Sequence, residues 1–314
     1  MLRKKTLGAA LLVLASMVTA CGGSGDDGDD AASITVGVLP LADYSPVYWA
    51  EEKGYFDKQG LDVELETLQG GPVGVQKVVT GEVQFSFANS ISTTIAAAKG
   101  APVETVALGS SLGPKSNNIY VLKDSPIKTM ADLDGKTVGT NTLNNVGDVA
   151  FANLAKAEGL DAKPEWVEVP FPEMIPGVQN GSIDAGYVPE PFATAAQEAG
   201  LREVVQLVQG PNEALPLATF VTSSQYAQQN PEVVKKFAAA IDQARADMAA
   251  HEDDVRAWLP EATGTEVSAA KAMHLPIFDA ELSVDGMQRI ADALTDLELI
   301  DSYTVADHLI MPGS

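Results

Sequence analysis

The sequence predicts an α/β protein with two lobes, each built from a mainly parallel sheet flanked by helices. Apolar strands alternate with helices that begin at proline or polar caps and end at glycine, which is typical of parallel α/β architecture. The order helix, glycine, strand and polar turn occurs in residues 75–90 and again in residues 175–190, which indicates two similarly built lobes. From about Thr222 the apolar periodicity becomes helical.

The first region consists of repeated strand and helix pairs. Ser45 and Pro46 supply an N-cap and a first-turn proline for a helix that Gly54 ends. Gly81 and Gly100 end the next two helices. The predicted strands are residues 34–39, 61–68, 83–87 and 103–108, and the predicted helices are residues 47–53, 73–80 and 91–99.

The second region repeats this arrangement, and the C-terminal region is helical. Asp148 caps a helix that ends at Gly159, residues 171–172 open another helix, and residues 190–191 open a third. The predicted strands are residues 119–122, 136–140, 165–169 and 183–188. The C-terminal helices are predicted to begin at Pro231 and to cover residues 265–273, 283–297 and 304–310.

The N-terminal segment has the layout of a secretory signal over residues 1–20. Basic residues precede an apolar run of about twelve residues, too short for the roughly twenty of a membrane-spanning helix. Residues 18–21 resemble the lipobox of bacterial lipoproteins, so we expect Cys21 to be lipidated after cleavage. Residues 21–33 then form a flexible acidic linker. The sequence thus predicts an extracytoplasmic protein anchored to the cell membrane by lipidated Cys21.

The composition argues against several classes of function. A formal net charge of −23 without a basic stripe makes nucleic acid a poor partner, because an acidic body repels phosphates. The single cysteine is used by the lipidation signal, which excludes a disulfide, a cysteine nucleophile and a cysteine-ligated metal. The three histidines lack ligand spacing. We therefore expect no metal, no cofactor and no nucleic-acid partner.

Polar turns connect predicted strands to the helices that follow them. In open α/β sheets such turns lie at the carboxyl edge, where ligands bind and the free N–H groups of helix starts hold acceptor atoms. If both lobes present this edge to each other, the turns line a shared cleft. Each turn is equally well explained as a solvated loop with an ordinary cap. The turns are residues 40–45, 69–71, 88–90, 141–147 and 189–190.

Several short motifs together resemble one protein family. They occupy residues 34–40 (Ile-Thr-Val-Gly-Val-Leu-Pro), 45–56, 60–64, 81–85, 132–139 (Asp-Leu-Asp-Gly-Lys-Thr-Val-Gly), 181–185 and 190–191. The combination resembles the solute-binding proteins of ATP-driven importers, in the branch that includes binders of alkanesulfonates, taurine, nitrate and the pyrimidine precursor of thiamine. Each motif is weak alone, but the combination is specific and the match covers nearly the whole chain after the signal.

The resemblance implies a type II periplasmic-binding-protein clamshell that closes over its ligand. Lobe 1 would combine residues 34–118 and 222–314, and lobe 2 would be residues 119–221. The implied ligand is a small polar organic molecule, such as a sulfonate, taurine, nitrate or a related compound, delivered to a permease with its ATPase. An aminopyrimidine or an aromatic compound is the alternative ligand. We expect a monomer without catalytic residues; a sensory module that feeds a receptor would use the same fold.

Carried onto the polar turns, the resemblance gives a set of candidate ligand contacts. Tyr44 and Phe171 offer flat apolar contact, and the amides and hydroxyls offer hydrogen bonds. Lys115 is the only basic residue in these loops, so an anionic ligand would depend mainly on N–H groups. Glu190 is explained equally well as a helix cap or as an acceptor for an amine or ring N–H. The candidates are Tyr44, Ser45, Gln69, Gly70, Asn89, Ser90, Asn117, Asn144, Asn145, Phe171 and Glu190.

One motif favours an enzyme instead. Residues 109–113, Gly-Ser-Ser-Leu-Gly, match a Gly-x-Ser-x-Gly nucleophile elbow and follow a predicted strand, which would make Ser111 the nucleophile. Asp279 and His308 fit the chain order of its triad partners. The elbow needs a helix directly after the serine, but Pro114 follows. A secreted serine hydrolase is therefore a rival hypothesis.

Overall fold

The computed structural model describes residues 31–310, apart from the side chain of Asp307. The predicted signal peptide, the lipidation motif at Cys21 and the acidic linker as far as residue 30 lie outside the described residues. Strand β1 begins at Ala32, so the last residues assigned to the linker belong to the fold. In the described part of the chain, every helix is too short or too polar to cross a membrane.

The strands alternate with helices along most of the chain. The strands are β1 (Ala32–Val38), β2 (Leu61–Thr67), β3 (Phe85–Asn89), β4 (Val103–Ser111), β5 (Asn117–Val121), β6 (Thr137–Thr140), β7 (Glu165–Glu168), β8 (Ala185–Pro189), β9 (Arg202–Gln206) and β10 (Pro216–Ser223).

The helices flank the strands and dominate the C-terminal region. They are α1 (Ser45–Glu52), α2 (Tyr55–Lys58), α3 (Gly71–Thr80), α4 (Ser90–Ala98), α5 (Val146–Glu158), α6 (Phe171–Asn180), α7 (Phe192–Glu198), α8 (Ser224–Gln229), α9 (Pro231–Ala250), α10 (Glu252–Thr263), α11 (Val267–Ala272) and α12 (Val284–Asp296). Short 3-10 turns cover Ala42–Tyr44, Met130–Leu133, Gly210–Asn212 and Val305–His308.

The strands form two five-stranded sheets of the same design. The orders are β2-β1-β3-β10-β4 and β7-β6-β8-β5-β9. In each sheet the first three strands are parallel, and the fourth runs antiparallel to both of its neighbours. The chain passes to the second sheet between β4 and β5 and returns between β9 and β10. The predicted α/β fold class with mainly parallel sheets is confirmed.

The repeated sequence segments occupy equivalent places in the two sheets. Residues 75–90 contribute the end of α3 and β3, and residues 175–190 contribute the end of α6 and β8. Gly81 and Gly181 follow these helices with φ angles of 78° and 76°, a left-handed conformation that glycine adopts without steric penalty.

Helix α9 packs on the first sheet through aromatic side chains. Phe237 is fully buried and stacks on Phe85 with ring centroids 4.1 Å apart and on Phe56 at 5.6 Å. Full burial of such a side chain contributes about 2–3 kcal/mol. Asp247 on the same helix accepts hydrogen bonds from Trp49 and Tyr55, which ties α1 and α2 to α9. The 3-10 turn that directly precedes α1 is thereby held against the sheet.

The sequence pattern does not predict β9, β10 or α10. β10 begins before the helical region predicted from about Thr222, and the pattern predicted no element for most of its residues. All of its residues are buried, so they show no alternation of apolar and polar positions. Pro260 lies within α10, where proline would ordinarily argue against a helix. The predicted helix over residues 304–310 is only a 3-10 turn.

Candidate functional site

The ends of strands from both sheets surround one cavity with a free volume of about 30 Å³. Loops after β1 and β2 and the end of β3 form one wall, and loops after β6 and β7 and the end of β8 form the other. This is the carboxyl edge where open α/β sheets bind ligands. The lining residues are Leu39, Leu41, Asp43, Tyr44, Gly71, Phe87, Asn89, Asn117, Asn141, Asn145, Val146, Phe171, Tyr187, Pro189 and Leu217.

The structure brings part of the candidate set together at this cavity. Tyr44, Asn89, Asn117, Asn145 and Phe171 all line it, although they are spread over more than a hundred positions of sequence. Contact of these side chains with a ligand stays a prediction.

Gln69 and Gly70 lie beside the central cavity. Gln69 lines an adjoining cavity of about 280 Å³, which shares Leu39, Leu41, Asn141 and Phe171 with the first. Gly70 precedes α3 and lies close to Thr142 of the second sheet. Both residues are therefore placed along the route from the central cavity outward.

Ser45, Ser90 and Asn144 do not line the central cavity. The Ser45 hydroxyl donates to the Ala42 carbonyl oxygen at 2.6 Å, so it closes the local turn. Ser90 is fully buried at the start of α4. Asn144 is exposed, with a φ of 53° that asparagine tolerates better than most residues.

Glu190 lies behind the cavity wall. Its carboxylate accepts hydrogen bonds from the Thr194 backbone N–H at 3.0 Å, the Thr194 hydroxyl at 2.9 Å and the His274 backbone N–H at 3.0 Å. Burial raises the pKa of this carboxyl, and these hydrogen bonds oppose the shift. Of the two explanations for Glu190, the structure supports the cap: it fixes the start of α7 and ties it to the C-terminal region.

Two asparagine side chains join the walls of the cavity. Asn89, at the end of β3, donates from Nδ2 to Asn145 Oδ1 at 2.7 Å, and Asn145 Nδ2 donates to Ser92 Oγ at 2.9 Å. Each asparagine also caps a helix, because Asn89 Oδ1 accepts from the Ser92 N–H and Asn145 Oδ1 accepts from the Val146 N–H. In the described conformation, this hydrogen bond between two side-chain amides therefore holds the two walls of the cavity together.

A second buried amide orients a tyrosine on the cavity wall. Asn117 Oδ1 accepts a hydrogen bond of 2.6 Å from the Tyr187 hydroxyl, and Asn117 Nδ2 donates to Ser116 Oγ at 2.9 Å. Burial, with a further contribution from the charge of Asp43, raises the Tyr187 pKa well above its usual value. Tyr187 therefore stays a neutral donor across the physiological pH range.

Each sheet contributes an aromatic pair to the lining. Tyr44 meets Phe87 edge-on with centroids 4.9 Å apart, and Phe171 meets Tyr187 edge-on at 6.1 Å. These geometries are favourable between aromatic rings, and Phe171 also stacks on Phe192 with centroids 5.6 Å apart. The cavity therefore combines flat apolar surface with a few amide groups.

Asp43 is the acidic residue of the lining, and the candidate set lacks it. Its side chain is 4% exposed, and Oδ1 has no hydrogen-bond partner among the described residues. Burial, assisted by the charge of Glu190, raises the pKa of Asp43 to about 7. The sequence signal was its position in the polar turn of residues 40–45, but that turn does not show which of its side chains faces inward.

The lining contains no lysine, arginine or histidine among the described residues. An anionic ligand would thus rely on N–H groups, as the sequence predicted. Within residues 31–310, no cluster of three or more histidine, cysteine, aspartate or glutamate side chains is arranged to hold a metal ion.

The serine-elbow hypothesis is not supported by the structure. Ser111 is the last residue of β4, is 1% exposed, and pairs through its backbone with Ile277. The chain continues through a loop into β5, whereas a nucleophile elbow requires a helix directly after the serine. The motif therefore reflects a strand end rather than an exposed nucleophile.

Comparison with known proteins places the chain in a family. A family model described as "NMT1/THI5 like" matches residues 42–255, more than half of the chain. The chain belongs to the NMT1/THI5-like family.

Members and structural relatives differ in their named roles. The taurine-binding periplasmic protein of Escherichia coli K12 is 29% identical over 68% of this chain and 66% of its own length, which is slightly less than two thirds. The 4-amino-5-hydroxymethyl-2-methylpyrimidine phosphate synthase of Aspergillus parasiticus is 27% identical over 64% of this chain and 61% of its own length. The alkanesulfonate-binding protein SsuA of Xanthomonas axonopodis pv. citri, bound to MOPS, has a TM-score of 0.73 and 20% identity over 89% of this chain and 98% of that chain. The last comparison supports the fold of this NMT1/THI5-like protein.

Proposed function

We propose that this protein is an extracytoplasmic solute-binding protein that captures a small polar organic molecule and delivers it to an ABC-type importer. The observation that carries the proposal is a single cavity with one wall from each sheet, lined by amides and aromatic rings. The family membership and the similarity to taurine-binding and alkanesulfonate-binding proteins support it. Permease and ATPase partners follow from this role.

The anchoring proposal rests on the N-terminal sequence. The basic residues, short apolar run and lipobox-like residues 18–21 support cleavage before Cys21 and lipidation of Cys21. The acidic linker then spaces the folded domain from the membrane. Mass spectrometry of the protein isolated from membranes tests this step, because a mature chain starting at unmodified Cys21, or an uncleaved chain, would contradict it.

Ligand entry is proposed to require hinge motion of two lobes, predicted as residues 34–118 with 222–314 and residues 119–221. Because β5 begins at Asn117 in the second sheet and β10 begins at Pro216 in the first, both chain crossings fall before these predicted bounds. The two chain crossings between the sheets are consistent with a hinge, and the amide pair Asn89–Asn145 bridges the closed cleft. The proposed ligand contacts are the candidates that line the cavity, namely Tyr44, Asn89, Asn117, Asn145 and Phe171.

A pyrimidine ligand is the second candidate within the same role. The relatives named as pyrimidine phosphate synthases favour it, and the aromatic side chains that line both walls suit a flat heterocycle.

Thermal-shift screening of the purified protein tests the function. The panel is alkanesulfonates, taurine, nitrate, aminopyrimidines and aromatic carboxylates, and a ligand at a hundred times its dissociation constant adds about 2.7 kcal/mol of stability. We expect one class to shift the melting temperature without being consumed. Asn117→Ala should abolish the shift, whereas Asn180→Ala, on the exposed end of α6, should retain it. Turnover of a compound, or no response to any of them, would contradict the proposal.

A further inference from the structure

The cavity wall carries a buried carboxyl group without a complete set of partners. Asp43 is 4% exposed, lines the cavity, and leaves Oδ1 without a hydrogen bond among the described residues. Buried polar atoms in folded proteins are nearly always paired, and an unpaired one in a cavity points to a partner that arrives from outside. In its ionised form the Asp43 carboxylate has only acceptor atoms, so a donor from outside would complete its partners, and a cationic donor would also favour ionisation.

The surroundings of Asp43 disfavour an anion and suit a cation. Among the lining residues that the structure describes, no basic side chain faces Asp43, and Glu190 behind the wall is a second acidic group near it. A bound anion would oppose the ionisation of these carboxyl groups in a poorly solvated space, where charge interactions are stronger than in water. A bound cation would favour the ionised form of Asp43 and would be stabilised by it.

The aromatic pairs add a second, independent feature. Tyr44 and Phe87 belong to the wall formed by the first sheet and its loops, and Phe171 and Tyr187 belong to the opposite wall. Aromatic rings attract ammonium groups, and their attraction strengthens when water is excluded. The cavity therefore has an ionisable acceptor and aromatic side chains from both walls, which is a chemically coherent cation site.

We infer that the ligand carries a protonated amine whose N–H donates to Asp43 and whose charge lies against the aromatic rings. The inference rests on the proposed binding function and names the charge class of its ligand. The apolar part of such a ligand extends toward the adjoining cavity, where Leu41, Phe171 and Phe192 provide apolar contact. A zwitterion that presents its ammonium group to Asp43 belongs to this class, whereas nitrate and simple sulfonates do not.

Matched compounds of equal shape and different charge test the inference. The probes are the ammonium, alcohol and sulfonate forms of the butyl, benzyl and 2-phenylethyl groups, with binding measured by calorimetry on the purified protein. We expect the ammonium form of at least one framework to bind tenfold or more tightly than its sulfonate form. Asp43→Asn should remove this preference. Asp62→Asn, which changes an exposed acid on β2, should leave it intact.

The outcomes separate this inference from the binding function beneath it. Tighter binding of a sulfonate form than of its ammonium form would overturn the inference and retain the binding function, as would an unchanged preference in Asp43→Asn. Failure of every compound to bind would count against both. The comparison of charge classes in the unmodified protein does not depend on the folding of any variant.

Discussion

Asp43 shows how one side chain can link stability to pH. The unfolded chain releases this proton near the ordinary value of 3.8, whereas the folded protein holds it up to about 7, because burial disfavours the carboxylate. Between these values the folded state binds more protons than the unfolded state. The stability that this carboxyl contributes is therefore fully present below its unfolded pKa of 3.8 and is lost as the pH rises from there through the folded pKa of about 7.

The substitution Asp43→Asn should remove this loss of folding stability at high pH, because asparagine does not ionise. We expect the free energy of unfolding of the variant to exceed that of the unmodified protein by up to about 4 kcal/mol at pH 8, following about 1.4 kcal/mol per pKa unit. The difference should vanish near pH 4, where both side chains are neutral. Urea unfolding at several pH values measures it, and Asp62→Asn is the exposed control. An equal gain at pH 4 and pH 8 would show that the effect does not arise from ionisation.

Single residues are also where sequence reasoning reached its limit. The polar turns placed Asn89 correctly at the end of β3, whereas the cap of α5 is Asn145 and not the predicted Asp148, which lies three residues further into the helix. Inward placement depends on distant chain segments, so the sequence did not distinguish the inward Asp43 from the satisfied cap Glu190. Both residues lie in polar turns and carry the same charge.

At the scale of elements, two helix starts are coupled across the cavity. Asn89 caps α4 and Asn145 caps α5. The hydrogen bond between their side-chain amides joins the first wall of the cavity to the second. A helix cap is worth about 1 kcal/mol, and an added hydrogen bond contributes a similar amount. The same side chains therefore stabilise their own helices and the closed arrangement of the walls.

Asn145→Ala should separate these two roles. We expect the free energy of unfolding to fall by about 1–2 kcal/mol, and the ligand-free protein to become more open because the cross-cavity bond is lost. Chemical denaturation and the radius of gyration from small-angle scattering measure the two effects. Ser283→Ala removes a comparable cap, that of α12, whose Oγ accepts from the Gly286 N–H at 3.1 Å away from the cavity. If both variants kept the same radius of gyration, the amide pair would have no part in closure.

The predicted elements were most accurate where caps and glycines mark their ends. Helices with capped starts and glycine ends, such as α3 and α4, were predicted within two residues at each boundary. β10 is buried on both faces between β3 and β4, so its sequence carries no period. It also runs directly into α8, whose cap is Ser223, so no glycine marks its end.

At the scale of the whole molecule, the two sheets share a design and are joined by two chain crossings. The fold class was predictable because it follows from the alternation of many strands and helices, each of which adds to the same conclusion. The details of the cavity were not predictable from the sequence, because its walls come from residues far apart in the chain. Ligand access then depends on whether the walls separate.

A reversible crosslink between the walls tests that motion. Gly70 follows β2 and Thr142 follows β6, and a Cβ atom built on Gly70 would lie 2.9 Å from Thr142 Oγ1. With cysteine at both positions, a sulfur near the Oγ1 position is within bonding range of its partner. The φ of Gly70 is −174°, an extended value that cysteine also adopts. The pair should therefore form a disulfide only while the cavity is closed.

The double variant Gly70→Cys and Thr142→Cys should bind ligand at least tenfold more slowly when oxidised than when reduced, because the walls no longer separate. Stopped-flow binding of a ligand found by thermal-shift screening measures the rates, and a thiol reductant should restore the rate of the oxidised sample. Each single variant is a control for unintended pairing with Cys21, the one cysteine of the natural chain. If ligand entered the oxidised and reduced forms equally fast, the cavity would fill without separation of its walls, and the clamshell mechanism would have to be abandoned.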